Sequence, residues 1–319
     1  MNLRVVVGNQ YNPYLNLAVE SALTDDFLSD TMTMFLWKNS QTVVIGVNQN
    51  PYSECNVELL QLEGGYVARR RTGGGAVYHD LGNLNFSFVV NNANYDVHRQ
   101  CSVIQRAILD FGLIAEVSGR NDILIDGRKF SGNAFYKGRQ QSLHHGTILI
   151  KTDTERLQKY LKVNPVKLHK HGVKSVESRV VNLSELTDIT AEKLIPSLIH
   201  AFEEVYDGKS EMVDFDSLCN SNVLANSRFI ASDEFLFAKW RHFAAHRQAQ
   251  FDWGLVDVDF DVDEQSKTIK NISIASDCLQ PTAIESAEQL LRGASSEVRP
   301  AVSKCDDEKI ISDIFDLLY

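Results

Sequence analysis

Apolar residues recur along the chain with two different periods, and the period predicts where strands and helices fall. Short apolar runs rich in β-branched and aromatic residues predict strands at 3–7, 34–37, 42–46, 66–68, 85–90 and 144–150. Spacings of three and four predict helices that begin after Asn12-Pro13, at Asp153 or Thr154, and at Thr190, and one over 103–111 that ends at Gly112. Pro196 is expected to kink the helix after Thr190 or to delay its start.

The pattern changes after about residue 240. Apolar residues alternate with acidic ones over 251–262 and with polar ones over 268–275, which predicts two half-exposed strands. Helical spacing follows over 282–292 and 307–318. We therefore predict two domains, residues 1–245 and a small α+β domain at 246–319. Because strands and helices mix without regular βαβ alternation, the fold class is predicted to be α+β rather than doubly wound.

Composition excludes several classes of protein. The 319 residues are 44% apolar and 23% charged, as in an ordinary globular protein. The chain has neither an apolar run of roughly 18–20 residues nor a cleavage-type leader, so we expect no membrane association and a cytoplasmic location. A net charge of -10 argues against a nucleic-acid partner. The five cysteines form no C-x-x-C pair, which favours neither a disulfide framework nor a zinc site.

One segment, RRRTGGGAVYHD at 69–80, combines cations, glycines and a His-Asp pair. Three successive glycines allow a phosphate or ribose to approach the backbone, whose N–H groups and a neighbouring arginine can bind an anion. The spacing fits neither a Walker A loop nor the Rossmann fingerprint. A bare glycine triplet is more often a flexible turn, but the flanking residues favour a binding site.

Lys129 is the second candidate. The Asp126-Gly127 pair predicts a type I′ hairpin turn, which puts Lys129 at the start of the returning strand. The small and apolar residues that follow, FSGNA at 130–134, indicate a closed pocket around the lysine rather than a solvated surface. An ammonium group there could neutralise charge on an α-phosphate under attack by a carboxylate. The histidines near glycines, His79 and the pair at 144–145, lack the spacing of a metal cluster and are interpreted as ordering or ligand-contact residues.

Four motifs in order resemble the lipoate–protein ligases. They are RTGGGAVYHDLGN at 71–83 with Arg70 before it, ND at 121–122 with GRKFSGNA at 127–134, HHGTIL at 144–149, and SVESRVVNL at 175–183. The last third resembles the accessory domain of that family more weakly, through FDWG at 251–254 and the strands after it.

The resemblance implies the fold shared by lipoyl and class II biotin ligases, with a C-terminal accessory domain. It implies that lipoate and ATP give lipoyl-AMP and pyrophosphate, and that a carrier lysine then takes the lipoyl group. ATP with Mg²⁺ and lipoate are the implied co-substrates, with no tightly bound prosthetic group. The implied carriers are lipoyl domains of 2-oxoacid dehydrogenase acyltransferase subunits and the glycine-cleavage H protein.

The resemblance also implies site residues. Lys129 is the catalytic candidate. ATP and adenylate contacts are expected from Arg70, Gly75, Ala76, Val77, Tyr78, Asp122 and Lys129. Lipoate contacts are expected from Val44, Gly46, Arg70, His79, Lys129 and Ser131, and Asp122 is the candidate Mg²⁺ ligand.

The chain departs from the family pattern at one residue and in one segment, and three alternative functions compete with the ligase interpretation. Asn133 stands where the family often has serine, and residues 239–250 lack its tryptophan-rich pattern. An octanoyl or lipoyl transferase of the same fold is disfavoured, because no cysteine is flanked by glycines and the extra domain is present. The glycine-rich loop of a biotin ligase is of a different type, and Lys129 argues against an inactive lipoate- or adenylate-binding regulator.

Overall fold

The structure, a computed structural model, describes residues 1–119, 121–162, 180–240, 243–302 and 307–319. Its strands are β1 (Asn2–Val7), β2 (Thr31–Trp37), β3 (Thr42–Ile45), β4 (Tyr66–Arg69), β5 (Val77–His79), β6 (Asn83–Asn91), β7 (Glu116–Ser118), β8 (Asp122–Ile125), β9 (Arg128–Lys137), β10 (Gln141–Leu149), β11 (Ser210–Val213), β12 (Ala245–Gln250), β13 (Leu255–Asp263) and β14 (Thr268–Ser276). Its α-helices are α1 (Pro13–Asp25), α2 (Pro51–Glu54), α3 (Val57–Leu62), α4 (Val97–Leu109), α5 (Thr154–Tyr160), α6 (Ala191–Tyr206), α7 (Phe215–Leu218), α8 (Ser221–Ile230), α9 (Asp233–Phe237), α10 (Pro281–Leu291) and α11 (Glu308–Leu318).

Eight strands form a large mixed sheet in the order β11-β1-β2-β6-β10-β9-β8-β7. The pairs of β1 with β11 and with β2 are parallel, and the others are antiparallel. The central strands β2 and β6 are buried on both faces, and on β6 one of those faces carries the polar residues Asn83, Asn85 and Ser87. On one face, side chains such as Met34 and Phe88 pack against α4 and α6, and on the other Phe35 packs near α1 and α8.

A small sheet, in the order β4-β3-β5, stands apart from the large one. Val44 and Ala68 belong to the core beneath α1, whereas Val43, Ile45 and Tyr78 belong to a second core on the opposite face. Although a short turn separates β2 from β3, the two strands lie in different sheets. The space between the small and large sheets is where the candidate site lies.

A third sheet, in the order β12-β13-β14, carries α10 and α11 on its apolar face. Val256 and Val258 alternate with aspartates on β13, so one face is buried and the other is polar. The two strands and two helices predicted here are present, but the prediction missed β12. Its sequence, AHRQAQ, has no apolar alternation, because it is a largely exposed edge strand.

Capping residues and turn residues in the sequence predicted most of the other helices and strands. Asn12, Asp153 and Thr190 cap their helices through side-chain oxygens. Asp126 and Gly127 have φ of 50° and 73°, as a type I′ turn requires. Helix α6 begins directly after Thr190 and contains Pro196, so the proline does not delay its start. The α+β class is confirmed, and in the described parts of the chain no helix is long and apolar enough to cross a membrane.

Candidate functional site

A cavity of about 660 Å³, counted with its open mouth, lies between the large and small sheets. Its apolar lining comes from Leu17, Trp37, Val44, Val77 and Ala134. Its polar lining comes from Arg70, His79, Asn121, Lys129, Asn133 and His145, and from the backbone at Gly74 and Gly75. The cavity can thus take a molecule with a long apolar part and an anionic part.

Lys129 enters the cavity wall from the β8–β9 hairpin. Its Nζ lies 2.7 Å from Oδ1 of Asp122, and its backbone carbonyl accepts a hydrogen bond of 2.9 Å from the N–H of Val181. A Cβ on Gly132 would lie 2.8 Å from both Cε and Nζ of Lys129, so the lysine side chain crosses directly over this glycine. The hairpin and the absence of a side chain at position 132 together aim the ammonium group.

The glycine loop, residues 73–75, is shaped by close packing. A Cβ on Gly73 would lie 2.1 Å from the carbonyl oxygen of Cys278, which belongs to the C-terminal part of the chain. Gly74 has a φ of 90°, and its N–H donates a 3.0 Å hydrogen bond to the same carbonyl. A Cβ on Gly46 would lie 2.4 Å from the Gly74 carbonyl oxygen. In this arrangement the Gly74 N–H is not available to an anion, which the sequence did not predict.

The three arginines before the glycine loop differ in their surroundings. Arg70 is buried and donates to Oγ1 of Thr72 (2.9 Å) and to the carbonyls of Gly73 (2.7 Å), Gly75 (2.8 Å) and Val44 (3.2 Å). Burial lowers the pKa of its guanidinium to about 10, so it stays charged at neutral pH. These contacts hold the loop in shape, so a nucleotide would meet a loop that Arg70 has organised.

Arg69 and Arg71 face away from the loop. Arg69 is buried and donates to the carbonyls of Gly46, Val47, Gln49 and Leu236. Arg71 forms a 2.9 Å ion pair with Asp25 and lies over the ring of Tyr136. Although the three arginines are adjacent in sequence, their guanidinium groups contact three different parts of the protein.

His79 presents a hydrogen-bond donor to the cavity. Asn16 donates to Oδ1 of Asn39 (3.0 Å), so the Asn39 amide nitrogen faces Nδ1 of His79 (3.2 Å) and donates to it. Burial, Arg70 and His145 lower the pKa of His79 to about 3, so the ring is neutral and its proton is on Nε2. That Nε2–H has no hydrogen-bond partner among the described residues and is free to donate to a bound molecule.

Asn133, where the sequence departs from the family pattern, forms hydrogen bonds with two other residues of the cavity wall and its surroundings. Its side-chain nitrogen donates to the Asn121 carbonyl (3.1 Å), and the Asn121 side chain donates back to the Asn133 carbonyl (3.1 Å). Oδ1 of Asn133 lies 2.8 Å from Nε2 of His144 and accepts from it. His144 is fully buried, and burial, followed by the proximity of His145, lowers its pKa to about 3. A neutral ring has a single N–H, so we assign the Gln100 amide, whose Oε1 lies 2.9 Å from Nδ1, in the flipped orientation, with its nitrogen donating to the ring.

The sequence analysis did not predict a buried polar group that lies behind the cavity lining and reaches it through Trp37 and His145. Glu20 on α1 is buried and accepts from Nδ1 of His145 (2.8 Å) and from the Ser87 hydroxyl (2.5 Å). Ser87 in turn accepts from the indole N–H of Trp37 (3.0 Å). The available signal was that Asn16, Glu20 and Thr24 recur at the spacing of the buried helix face, where apolar residues are expected.

The structure brings most of the predicted site residues together. Those that line the cavity are Val44, Arg70, Gly75, Ala76, Val77, His79 and Lys129. Those that do not are Gly46, which packs on Gly74; Tyr78, whose ring faces Tyr160 on the other side of β5; Asp122, which is reached through Lys129; and Ser131, which is buried with an unpaired hydroxyl among the described residues. Residues 175–179 of the fourth motif lie outside the described residues.

A metal site made by the protein alone is absent from the described ranges, since no three His, Cys, Asp or Glu side chains are grouped to hold an ion. Asp122 is a single, partly exposed carboxylate beside the cavity. That fits Mg²⁺, which commonly takes one or two carboxylates and completes its shell with phosphate oxygens and water.

Comparison with known proteins identifies the family. Residues 12–203 match the family described as "Lipoyl protein ligase A/B catalytic domain", and residues 241–316 match "Bacterial lipoate protein ligase C-terminus". Lipoate-protein ligase A of Psychrobacter cryohalolentis is 36% identical over 316 residues, covering 96% of this chain and 93% of that protein. Lipoate-protein ligase A of Bdellovibrio bacteriovorus is 39% identical over 299 residues, covering 91% and 88%.

A solved structure agrees over the whole chain. The crystal structure of P. falciparum LipL1 in complex with lipoate superposes with a TM-score of 0.83 at 30% identity, covering 99% of this chain and all of that one. The resemblance found in the motifs is confirmed: the chain belongs to the lipoate–protein ligase family of enzymes.

Proposed function

We propose that this enzyme activates lipoate with ATP to give lipoyl-AMP and pyrophosphate, and then transfers the lipoyl group to a lysine of a carrier domain. The observation that carries the proposal is the position of Lys129, whose side chain lines the same cavity as the glycine loop. A cation beside a backbone open to phosphate and an apolar lining is what joining a fatty carboxylate to a nucleotide needs.

In the first step, a carboxylate oxygen of lipoate attacks the α-phosphorus, and the bond from that phosphorus to the pyrophosphate oxygen breaks. Negative charge grows on the α-phosphoryl oxygens in the transition state. Lys129 supplies a cation at that point, and its ammonium group, which has three N–H donors, can contact the phosphate as well as Asp122. When Mg²⁺ is bound, Asp122 would hold it together with triphosphate oxygens.

The apolar lining accounts for selection of the acid. Trp37, Val44 and Ala134 offer buried carbon surface, which contributes about 25 cal/mol per Å² that a ligand covers. The neutral His79, with its free Nε2–H, adds one polar contact in an otherwise apolar part of the wall.

In the second step, the neutral amine of the carrier lysine attacks the acyl carbon, the bond to the phosphate oxygen breaks, and AMP leaves. We propose lipoyl domains of 2-oxoacid dehydrogenase acyltransferase subunits and the glycine-cleavage H protein as the carriers. We also propose residues 1–245 and 246–319 as the two domains. This division is supported by the separate core built from residues 253–315.

The proposal is tested by lipoate-dependent release of pyrophosphate from ATP, with octanoate and biotin compared. Lys129→Ala is expected to slow this release by roughly 10²–10³-fold. Lys137→Ala, at the exposed far end of the same strand, is the matched control and should behave as the parent. Release from Lys129→Ala at the parental rate would rule out the role given to this lysine.

A thiol-relay transferase is the alternative with the same fold. Burial raises the pKa of Cys55 to about 12 and that of Cys101 to about 11, which leaves both thiols protonated and unreactive. No cysteine of the described chain lines the cavity. Transfer of octanoate from octanoyl acyl carrier protein without ATP would overturn the ligase proposal.

A further inference from the structure

A continuous chain of hydrogen bonds runs inside the cavity wall and ends at the glycine loop. Nε of Arg70 lies 2.9 Å from Oγ1 of Thr72, which lies 2.8 Å from Nε2 of His145. Nδ1 of His145 lies 2.8 Å from Oε1 of Glu20. A second arm reaches the same carboxylate oxygen from Trp37 through Ser87.

The direction of each bond follows from the groups involved. Arg70 can only donate, so the Thr72 oxygen accepts from it, and the Thr72 proton is free for His145. Since the Glu20 carboxylate accepts, Nδ1 of His145 carries a proton, and we assign the neutral tautomer, in which Nε2 accepts from Thr72. Every donor in both arms therefore points toward Glu20, the one anion in the chain.

The chain is buried along its length. Glu20 is 1% exposed, Thr72 is fully buried, and Arg70 and His145 are 6% and 7% exposed. Burial alone would raise the pKa of Glu20, but the His145 and Ser87 contacts outweigh it, so the pKa lies below its ordinary value. Hydrogen bonds in such surroundings have few competing water partners, and each one limits how the next side chain can sit.

Both ends of the chain meet the cavity. Trp37 and His145 line it, and Arg70 fixes the carbonyls of Gly73 and Gly75 at the glycine loop. A molecule that packs against Trp37 and His145 orders the groups on which Arg70 depends. The loop that would receive the nucleotide is therefore linked to the wall that would receive the acid.

We propose that Glu20, His145 and Thr72 are positioning residues that couple the two substrates: acid bound against Trp37 and His145 sets the glycine loop and so strengthens binding of the nucleotide. This inference rests on the proposed function, since it assumes that lipoate and ATP share the cavity. By thermodynamic reciprocity, the nucleotide must strengthen binding of the acid by the same factor.

The coupling is measured by calorimetric titration of the full chain with α,β-methylene-ATP, which cannot form the adenylate, with and without saturating lipoate. Lipoate should tighten nucleotide binding by at least about fivefold, the lower end of common couplings between sites. Thr72→Val breaks the chain of hydrogen bonds at its centre. It should bring the coupling ratio, the Kd of the nucleotide without lipoate divided by its Kd with lipoate, near one. In turnover, it should raise the KM for ATP by roughly tenfold, the cost of a hydrogen bond to a charged group, with a smaller change in kcat.

Two further variants separate positioning from loss of structure. Thr72→Ser keeps the hydroxyl and should restore both the coupling and the KM for ATP. Thr152→Val is the matched control: Thr152 is also a buried threonine, but its hydroxyl has no partner in the described part of the chain, so the coupling should be parental. If Thr72→Val does not fold, Glu20→Gln, which keeps shape but removes the anion, should lower the ratio in its place.

The outcomes distinguish this inference from the proposed function. If the parent releases pyrophosphate with lipoate but lipoate leaves its nucleotide Kd unchanged, the coupling is overturned and the ligase activity is not. A folded Thr72→Val with the parental ratio and KM also overturns it, as does failure of Thr72→Ser to restore them. If the parent releases no pyrophosphate with lipoate, the proposed function itself fails.

Discussion

Gly132 lies beneath the Lys129 side chain, and its replacement by alanine tests how closely the lysine must be placed. The added Cβ would lie 2.8 Å from Cε and from Nζ of Lys129, and the next nearest atom, Oγ1 of Thr147, is 3.9 Å away. The backbone φ at Gly132 is not in the left-handed region, so alanine is sterically allowed there. Only the mobile end of one lysine has to move.

The size of the effect follows from these distances. Carbon atoms rest at about 3.5–4.0 Å, so the lysine head must shift by about 0.7 Å or more. A misplacement on the order of 1 Å in a reacting arrangement can cost roughly 10²-fold in rate. The Lys129–Asp122 pair is about one-third exposed, so its distortion should change the free energy of unfolding by less than about 1 kcal/mol. We expect lipoate-dependent pyrophosphate release to fall roughly ten- to hundredfold in a protein of nearly parental stability.

The assay is a double-mutant cycle of Gly132→Ala and Lys129→Ala, read by pyrophosphate release and by urea unfolding. If the alanine acts only through the lysine, the double variant will be no slower than Lys129→Ala alone. Additive losses in the double variant would show that the methyl group acts elsewhere. Full activity of Gly132→Ala would refute the reasoning, because the lysine would then tolerate displacement.

Three other changes are expected to have measurable effects. Gly73→Ala places a Cβ 2.1 Å from the Cys278 carbonyl oxygen, so hydrogen exchange at the Gly74 amide, which donates to that oxygen, should become faster; unchanged exchange would contradict the contact. Arg69→Met removes the buried arginine donor from four backbone carbonyls and should lower the free energy of unfolding in urea by more than about 3 kcal/mol, whereas a loss below about 1 kcal/mol would show that water replaces the arginine. His144 has a pKa of about 3 when folded against an ordinary 6.5, so the unfolded chain binds one more proton between these values, and the stability present above pH 6.5 is lost as the pH falls. Between about pH 6 and pH 4, the parent should lose stability more steeply than His144→Asn by about 1.4 kcal/mol per pH unit, and equal slopes would contradict the buried neutral ring.

Local rules account for what was predicted about the fold. Caps at Asn12 and Thr190 and the turn at Asp126-Gly127 depend on a few neighbouring atoms, so their residue types alone indicate them. The assignment of β2 and β3 to different sheets depends on which distant strands each one meets. Edge strand β12 was missed because an exposed strand needs no apolar alternation.

The residues of the candidate site also fall into those that the sequence predicted and those that only the structure revealed. The glycine run and Lys129 stand out because their residue types are costly or unusual without a use, and the family resemblance joined them into one site. Glu20, Ser87 and Trp37 carry no local signal of acting together, since they come from a helix and two strands that are distant in sequence. The motif alone does not show where the Tyr78 side chain points: alternation along β5 turns its ring to the opposite core, away from the cavity.

The sequence by itself determined the family, the α+β class and the two groups on which the proposed chemistry depends, the glycine loop and Lys129. Only the tertiary structure decided how those groups are held: Arg70 organises the loop, Gly132 leaves room for the lysine, and Cys278 occupies the Gly74 N–H. The physical reason is that residue type limits what a side chain can do, whereas the partner of a buried hydrogen bond is set by segments that meet only when the chain is folded.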